Sequence, residues 1–248
     1  MSSKKPLLEA REISLSYDAN SVFADLSFVV HHREIVALLG KSGCGKTSAL
    51  SVAGALTPPT SGEVIFEGKS HRAVTPKISV VFQEPSLLPW LSVERNVSLA
   101  LEFKSLYAAK KQRKERVAAA LDEVGLTHAA KRFPHELSGG MAQRVSLARM
   151  VVRGAVMTLL DEPFSALDAF TRQSMQELLK TLIRRHQCSA LIVTHDIDEA
   201  LLVADRVLLM SPDGLHEFDI DHELGGERRR RSIRFLDLHE AIAEKLND

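Results

Sequence analysis

The chain has 248 residues, enough for one large domain with a sizeable core or a domain that carries an insertion. Lys+Arg 32 balance Asp+Glu 32, and 45% hydrophobic with 26% charged residues is ordinary for a globular chain, so composition favours neither nucleic acid nor a membrane surface as a bulk partner. Two cysteines argue against a disulfide framework. No apolar stretch after MSSKK resembles a signal peptide, and no window reaches the roughly 18–20 apolar residues that span a bilayer, so a cytosolic chain is expected, with any membrane role borrowed from a partner.

Residues 8–17 alternate toward Ile13, Leu15 and Tyr17, the period of a half-buried strand. IVALL, from Ile35 to Leu39, is a continuous apolar run of the kind expected in a strand covered on both faces. It ends in Gly40-Lys41-Ser42-Gly43-Cys44-Gly45-Lys46-Thr47, and the helical SALSVAGAL follows. The loop fits G-x-x-x-x-G-K-[ST] in the strand–loop–helix context that gives this motif its meaning. Its glycines let the backbone curl until successive N–H groups face phosphate oxygens, and the next helix turns its positive end to the same place. Lys46 supplies a full charge to β- and γ-phosphates, Thr47 places a hydroxyl for Mg²⁺, and Cys44 is a small filler.

EVIFEG, from Glu63 to Gly68, follows a Pro-Pro-Thr-Ser-Gly turn and is strand-like. Gln83 follows a short apolar run, and its amide could sense both Mg²⁺ and an attacking water. Just beyond it, Leu87, Leu88 and Trp90 form an apolar knob beside a proline, able either to pack inside the fold or to anchor a partner. From about 95 to 153 no strand signal appears, which predicts a helical insertion (95–153) in an α/β body (1–94 and 154–248). Val117, Ala120, Leu121 and Val124 fall at i, i+3, i+4 and i+7, and Gly125 stops that helix. The basic run Lys110 to Arg116 on it reads as a solvated face.

LSGGMAQRVSLAR begins at Leu137, and Ser138-Gly139-Gly140 opens its helix. It is a second helix start fit for a phosphate group, almost a hundred residues beyond the first. AVMTLL then leads to Asp161 and Glu162 at the C-terminal end of a buried strand, the edge where open α/β sheets bind ligands. Asp161 is assigned to Mg²⁺, through water, and Glu162 to polarising a water for in-line attack on a γ-phosphate. Thr158 interrupts that run and receives no function. ALIV leads to His195, which is assigned to the γ-phosphate or the attacking water rather than to the core. The run Arg228 to Arg231 reads as a solvated turn, with anionic lipid heads as the alternative. Buried strands alternating with helices predict a parallel sheet.

Taken together, GKSGCGKT, VFQEP, LSGGMAQR, LLDEPFSALD and VTHD resemble, in order and spacing and over nearly the whole chain, the ATP-binding subunits of ABC transporters. LSGG is the specific element, because other P-loop folds lack it. The resemblance implies an α/β P-loop NTPase (RecA-like) core with a parallel sheet, an antiparallel β subdomain and an inserted ABC-type helical subdomain. It implies a homodimer paired head to tail, in which Ser138, Gly139 and Gly140 of one copy cap the γ-phosphate of ATP held by the other, with Mg²⁺ as cofactor. Tyr17 would stack on adenine and Asp168 would bridge the two sites.

Transmembrane permease subunits would dock near Gln83 to Trp90. A periplasmic solute-binding protein would act indirectly, with the chain peripheral on the cytoplasmic face of the bacterial inner membrane and no nucleic acid bound. Met141 departs from the family, which often has Gln there; the phosphate-contacting residues are unaffected. LLPW and DEPFSALDAFTR are similar to importers of the nitrate, taurine and alkanesulfonate group, and the tail from Glu217 most resembles the alkanesulfonate branch, which ranks aliphatic sulfonate first, then taurine, then nitrate. Two rival classes fit the sequence less well. A non-transport ABC ATPase of DNA repair or translation usually has two cassettes or a long coiled coil, and LSGG argues against a metabolic P-loop kinase.

Overall fold

A computed structural model describes residues 5–18, 20–102, 110–220 and 232–247; the arginine run Arg228 to Arg231 lies outside the described residues. The chain forms two compact units, Met1–Thr75 with Ser189–Asp248, and Pro76–Cys188.

In the first unit, β1 (Pro6–Tyr17) pairs antiparallel with β2 (Asn20–His31) on one side and β4 (Ser61–Phe66) on the other, and β5 (Lys69–Ser70) extends this sheet. Ile13 and Leu15 of β1 are buried, as their alternation predicts, whereas Tyr17, the next position of that period, is exposed at the strand's end. β1 is kinked at Glu12, whose φ is 47°. Gly62 of β4 runs so close to that kink that a Cβ would collide with the Glu12 carbonyl oxygen, so only glycine fits.

β3 (Ile35–Gly40) lies between two parallel neighbours, β8 (Ser189–Thr194) and β9 (Arg206–Ser211), and β10 (Gly214–Asp219) returns antiparallel along β9. Every residue of β3 and β8 is buried, which is why both read as unbroken apolar runs rather than alternating ones. α1 (Lys46–Ala53) follows β3, α6 (Ile197–Val203) packs on it, and the C-terminal helix (Ile233–Asn247) packs on α6.

One polar cluster crosses this apolar body. The buried Arg206 guanidinium donates from Nε to Glu34 Oε1 at 2.9 Å and from Nη2 to Glu34 Oε2 at 3.1 Å, while Nη1 reaches Glu217 Oε1 at 2.8 Å and Nη2 the Val29 carbonyl at 2.6 Å. Burial disfavours this cation, but its hydrogen bonds and charge interactions with Glu34 and then Glu217 outweigh it, and its pKa ends above the ordinary value. Glu34 also accepts from the His31 N–H at 2.7 Å, so one residue pair fixes the β2–β3 turn to β9.

In the second unit β6 (Ile78–Val81) and β7 (Met157–Asp161) are parallel neighbours. Among the described residues its α-helices are α2 (Val93–Ser98), α3 (Lys110–Glu123), α4 (Gly139–Arg153) and α5 (Ala169–Arg185). Among the described residues, 95–153 holds only helices and turns. Val117, Ala120, Leu121 and Val124 are buried, and Gly125, at φ 71°, ends their helix with its N–H on the Asp122 carbonyl. Lys111 and Lys114 are exposed, as a solvated face requires, but the half-buried Arg116 turns inward and donates to the Val152 carbonyl. Thr158, the one polar residue in β7's apolar stretch, is fully buried with its hydroxyl 3.4 Å from Cys188 Sγ. No helix among the described residues is long and apolar enough to cross a membrane.

Candidate functional site

In the first unit, β3 delivers its chain to the loop Gly40–Thr47 at the start of α1. A Cβ on Gly40 would sit 2.7 Å from Cys44 Sγ and 2.9 Å from the Met210 carbonyl oxygen, so the loop can curl only over a glycine. The Cys44 N–H donates to the Lys41 carbonyl at 3.3 Å, closing the turn, with the half-buried Cys44 as packing against Gly40. Lys46 is 5% exposed, and its Nζ donates to the carbonyls of Gly40 and Lys41, each at 2.8 Å. The ammonium is thereby fixed at the loop's own centre rather than swinging on a four-carbon stem.

α1 starts without a side-chain cap. Its N-cap is Gly45, at φ 100°, and its first intrahelical bond runs from the Ala49 N–H to the Gly45 carbonyl at 2.8 Å. First-turn N–H groups have no intrahelical acceptor, and a glycine cap supplies none, so this end is built for an anion from outside the helix. Elsewhere in this unit, Tyr17 ends β1 and is 56% exposed, a flat ring presented to solvent. His195 follows β8 and is exposed, which removes the core reading of this residue. Its strand end is braced beneath it: the buried Thr194 hydroxyl donates to Glu199 Oε2 at 2.7 Å and accepts the Asp196 N–H at 3.1 Å.

In the second unit, Gln83 is exposed just beyond β6. Phe82 beside it is 49% exposed and Trp90 is 69% exposed, whereas Leu87 and Leu88 are half-buried, so the apolar knob divides between packing and presentation. Asp161 ends β7 and is buried, at 9% exposure. Glu162 follows with φ 41°, a left-handed backbone that a side-chain-bearing residue adopts at a cost of about 1–2 kcal/mol. The Glu162 carbonyl accepts both the Ser165 N–H at 3.3 Å and the Ser165 hydroxyl at 3.0 Å, a tight turn that holds this backbone in place.

Asp168 then caps α5, its Oδ1 accepting from the N–H groups of Phe170 and Thr171, both at 3.1 Å. Hydrogen bonds from Thr171 first, and then Phe170, hold its carboxyl below the ordinary carboxylate range. The cap is therefore in force at neutral pH and is lost only as acidification takes the group through that lowered value.

Ser138 caps α4, its Oγ accepting the Met141 N–H at 3.3 Å. A hydroxyl that accepts one N–H still has a proton to donate. Of the two glycines that follow, Gly140 has an internal reason, since a Cβ there would lie 2.7 Å from the Thr171 methyl. Gly139 has none: beyond its own helix turn, a Cβ would meet no atom of the described residues within 4 Å.

Sequence reasoning missed the polar residues that hold these parts. Asn96, Ser146 and Arg149 secure the loop after Gln83, and Glu199 supports the strand end before His195. No local pattern marks them for these roles, and their partners lie as far as 64 positions away.

A buried parallel strand, a glycine loop closed by its own lysine and an uncapped helix start define a P-loop nucleoside triphosphatase. The chain matches the ABC transporter family over residues 23–165. It is 41% identical over 227 residues to the aliphatic sulfonates import ATP-binding protein SsuB 2 of Burkholderia cenocepacia, covering 91% of this chain and 82% of that one. It is 42% identical over 187 residues to the nitrate import ATP-binding protein NrtC of Synechococcus elongatus, covering 75% of this chain and 28% of that one. Among solved structures, the dimeric post-hydrolysis state of the ATP-binding cassette MJ0796 bound to ADP and Pi shares the fold with a TM-score of 0.77 and 28% identity, covering 87% of this chain and 99% of that one. The chain belongs to the ABC transporter family, as an ATPase of the cassette type.

Proposed function

We propose that two copies of this chain close head to tail on two molecules of ATP and so energise uptake of aliphatic sulfonates through a partner permease. The observation that carries the pairing is Gly139, a glycine at an anion-grade helix start that no packing among the described residues requires. A bare backbone there suits close approach by a group from another molecule. The γ-phosphate held by a second copy supplies it, received by the Ser138 hydroxyl and the N–H groups of Gly139 and Gly140.

Each remaining part has a role on the family's pattern. Lys41, Ser42, Gly43, Cys44 and Gly45 wrap the phosphates, Lys46 neutralises the β- and γ-phosphates, and Tyr17 stacks on the adenine. Glu162 accepts a proton from the attacking water, and Gln83 and His195 orient that water against the γ-phosphate. Asp168 joins the two sites while capping α5. Among the described residues no group of three or more His, Cys, Asp or Glu could hold a metal ion alone. Mg²⁺ keeps several waters and takes few protein oxygens besides substrate phosphates, and Thr47, Gln83 and, through water, Asp161 would be its protein side. Mg²⁺ supplies charge neutralisation at the phosphates undergoing transfer.

ATP thus acts as an adhesive between two like surfaces, and loss of the γ-phosphate link lets them part. The helical insertion, 95–153, carries Ser138, and the loop from Gln83 to Trp90 presents an exposed aromatic for the permease. In this arrangement the chain is peripheral on the cytoplasmic face of the inner membrane, with a periplasmic solute-binding protein acting through the permease. Sulfonate is placed first because 41% identity extends over 91% of the chain; taurine and nitrate, the latter with a shorter 42% match, are the alternatives.

Growth with an alkanesulfonate as sole sulfur source tests the solute. A deletion strain should fail on it, yet grow on sulfate and use nitrate normally; growth of the deletion strain on the sulfonate overturns this assignment. Gly139→Ala tests the pairing. Alanine is the better helix former by up to ~1 kcal/mol, so thermal stability should hold or rise. ATP-dependent dimerisation and turnover should each fall at least tenfold. Full turnover in this variant would remove the reason for assigning Gly139 to a partner's phosphate.

A further inference from the structure

The loop after Gln83 has no regular secondary structure from Pro85 to Leu88, yet two side chains bind its main chain along its length. Asn96, fully buried in α2, accepts the Leu88 N–H at 2.9 Å on Oδ1. Its Nδ2 donates to the carbonyls of Leu88 at 3.1 Å, Leu91 at 2.9 Å and Ser92 at 3.2 Å. Two N–H bonds thus serve three acceptors, which leaves this amide one orientation only.

Arg149, three turns into α4, reaches the same loop from the other side. Its Nη1 donates to the carbonyls of Pro85 at 3.2 Å and Ser86 at 3.0 Å. Nη2 donates to Asn96 Oδ1 at 2.6 Å and Nε to the Asn96 carbonyl at 3.0 Å. Ser146, one turn earlier on α4, adds a bond from its hydroxyl to the Pro85 carbonyl at 3.2 Å. Burial lowers the Arg149 pKa, and the hydrogen bonds above all go to neutral carbonyl and amide oxygens. A guanidinium used in this way works as a planar fork that fixes geometry, not as half of an ion pair.

We propose that Asn96 and Arg149 are positioning residues that make the Pro85–Ser92 loop one rigid piece with α4, so that whatever moves Ser138 at the front of α4 also moves Trp90. The inference rests on the reading that Ser138 receives a partner's γ-phosphate and that the Trp90 loop meets the permease. It assigns the mechanical link between those two events to named bonds, all lying within one compact unit. Flexible loops absorb displacement, whereas a loop whose carbonyls are tied to a helix transmits it.

Trp90 is the only tryptophan in the chain and is 69% exposed, so fluorescence excited beyond the tyrosine absorption band reports on this loop alone. In protein carrying Glu162→Gln, saturating Mg-ATP should change iodide quenching of Trp90 at least twofold. Adding Arg149→Lys, which keeps the charge but cannot span four oxygens at once, should shrink that change at least fivefold. Adding Asn96→Ala instead should do the same. ATP affinity by calorimetry should stay within threefold of the parent, a result that a general loss of structure would not give. If the variants respond like the parent, the brace is overturned; if the parent itself fails to respond, the coupling reading beneath it is overturned as well. Should neither variant fold, hydrogen exchange on the unsubstituted protein decides. The Leu88 amide should be protected at least tenfold and open together with the amides of α4, and an unprotected Leu88 amide overturns the proposal.

Discussion

Glu162→Gln is expected to retain ATP binding, to slow turnover by roughly 10²- to 10⁴-fold, and to accumulate as an ATP-bound dimer on gel filtration. Glutamine has the length and planarity of glutamate, so whatever hydrogen bonds and steric fit the side chain provides are largely kept. What it loses is the ability to take a proton from water. In the proposed mechanism nucleotide is held by Lys46, the loop and the start of α1, none of which the substitution alters. Closure depends on the γ-phosphate, which now persists. The backbone at φ 41° is unaffected as well, since glutamine meets the same Cβ constraint as glutamate, and the melting temperature should match the parent's. Only monomer in the presence of ATP would count against both the base assignment and the adhesive role of nucleotide. Rapid turnover would count against the first alone.

Arg206→Met should destabilise the first unit by about 3–5 kcal/mol in urea unfolding, because it strands a buried carboxylate. Glu34 is 7% exposed, and it would lose both Arg206 bonds while keeping only its bond from the His31 N–H among those described above. The size of the loss reflects an abandoned charge and not the net worth of the pair. The double variant Glu34→Met with Arg206→Met should accordingly recover most of it. Glu217 provides an internal control: its side chain is 57% exposed, and Glu217→Gln should cost no more than about 1 kcal/mol. A single Arg206→Met variant within 1 kcal/mol of the parent would mean that water or a rearranged side chain satisfies Glu34.

These two sites differ in how visible they are before the fold is known. The glycine loop is legible because one strand, one turn and one helix made of consecutive residues build it, and each glycine has a local steric cause. The same is true of Ser138 as a helix cap and of Val117 through Val124 as a buried face. Glu34 and Arg206 are 172 positions apart, and each by itself reads as an ordinary charged residue at a strand edge. Arg149 sits in SLAR, where helical periodicity alone suggests a solvated arginine, and Asn96 interrupts VERNV with no sign that three carbonyls surround it. The left-handed backbone of Glu162 is invisible for another reason: glycine and asparagine are the residues that announce such a conformation, and here a glutamate holds it against its preference. What escaped sequence reading was therefore long-range polar bonding and local strain, while local backbone requirements and apolar period were plain.

The first unit is discontinuous, and that has a consequence during synthesis. β3 is wholly apolar and wholly enclosed, yet both strands that flank it, β8 and β9, come from the far part of the chain. The ribosome must add roughly 150 residues after Gly40 before the first of them exists, which at about 5–20 residues per second is about 8–30 s. Throughout that interval the nascent IVALLG segment lacks both of its sheet neighbours, and the contiguous middle unit is completed only as the interval ends. Yield of this protein in cells should therefore depend on translation speed and on holdase chaperones more than its final stability suggests.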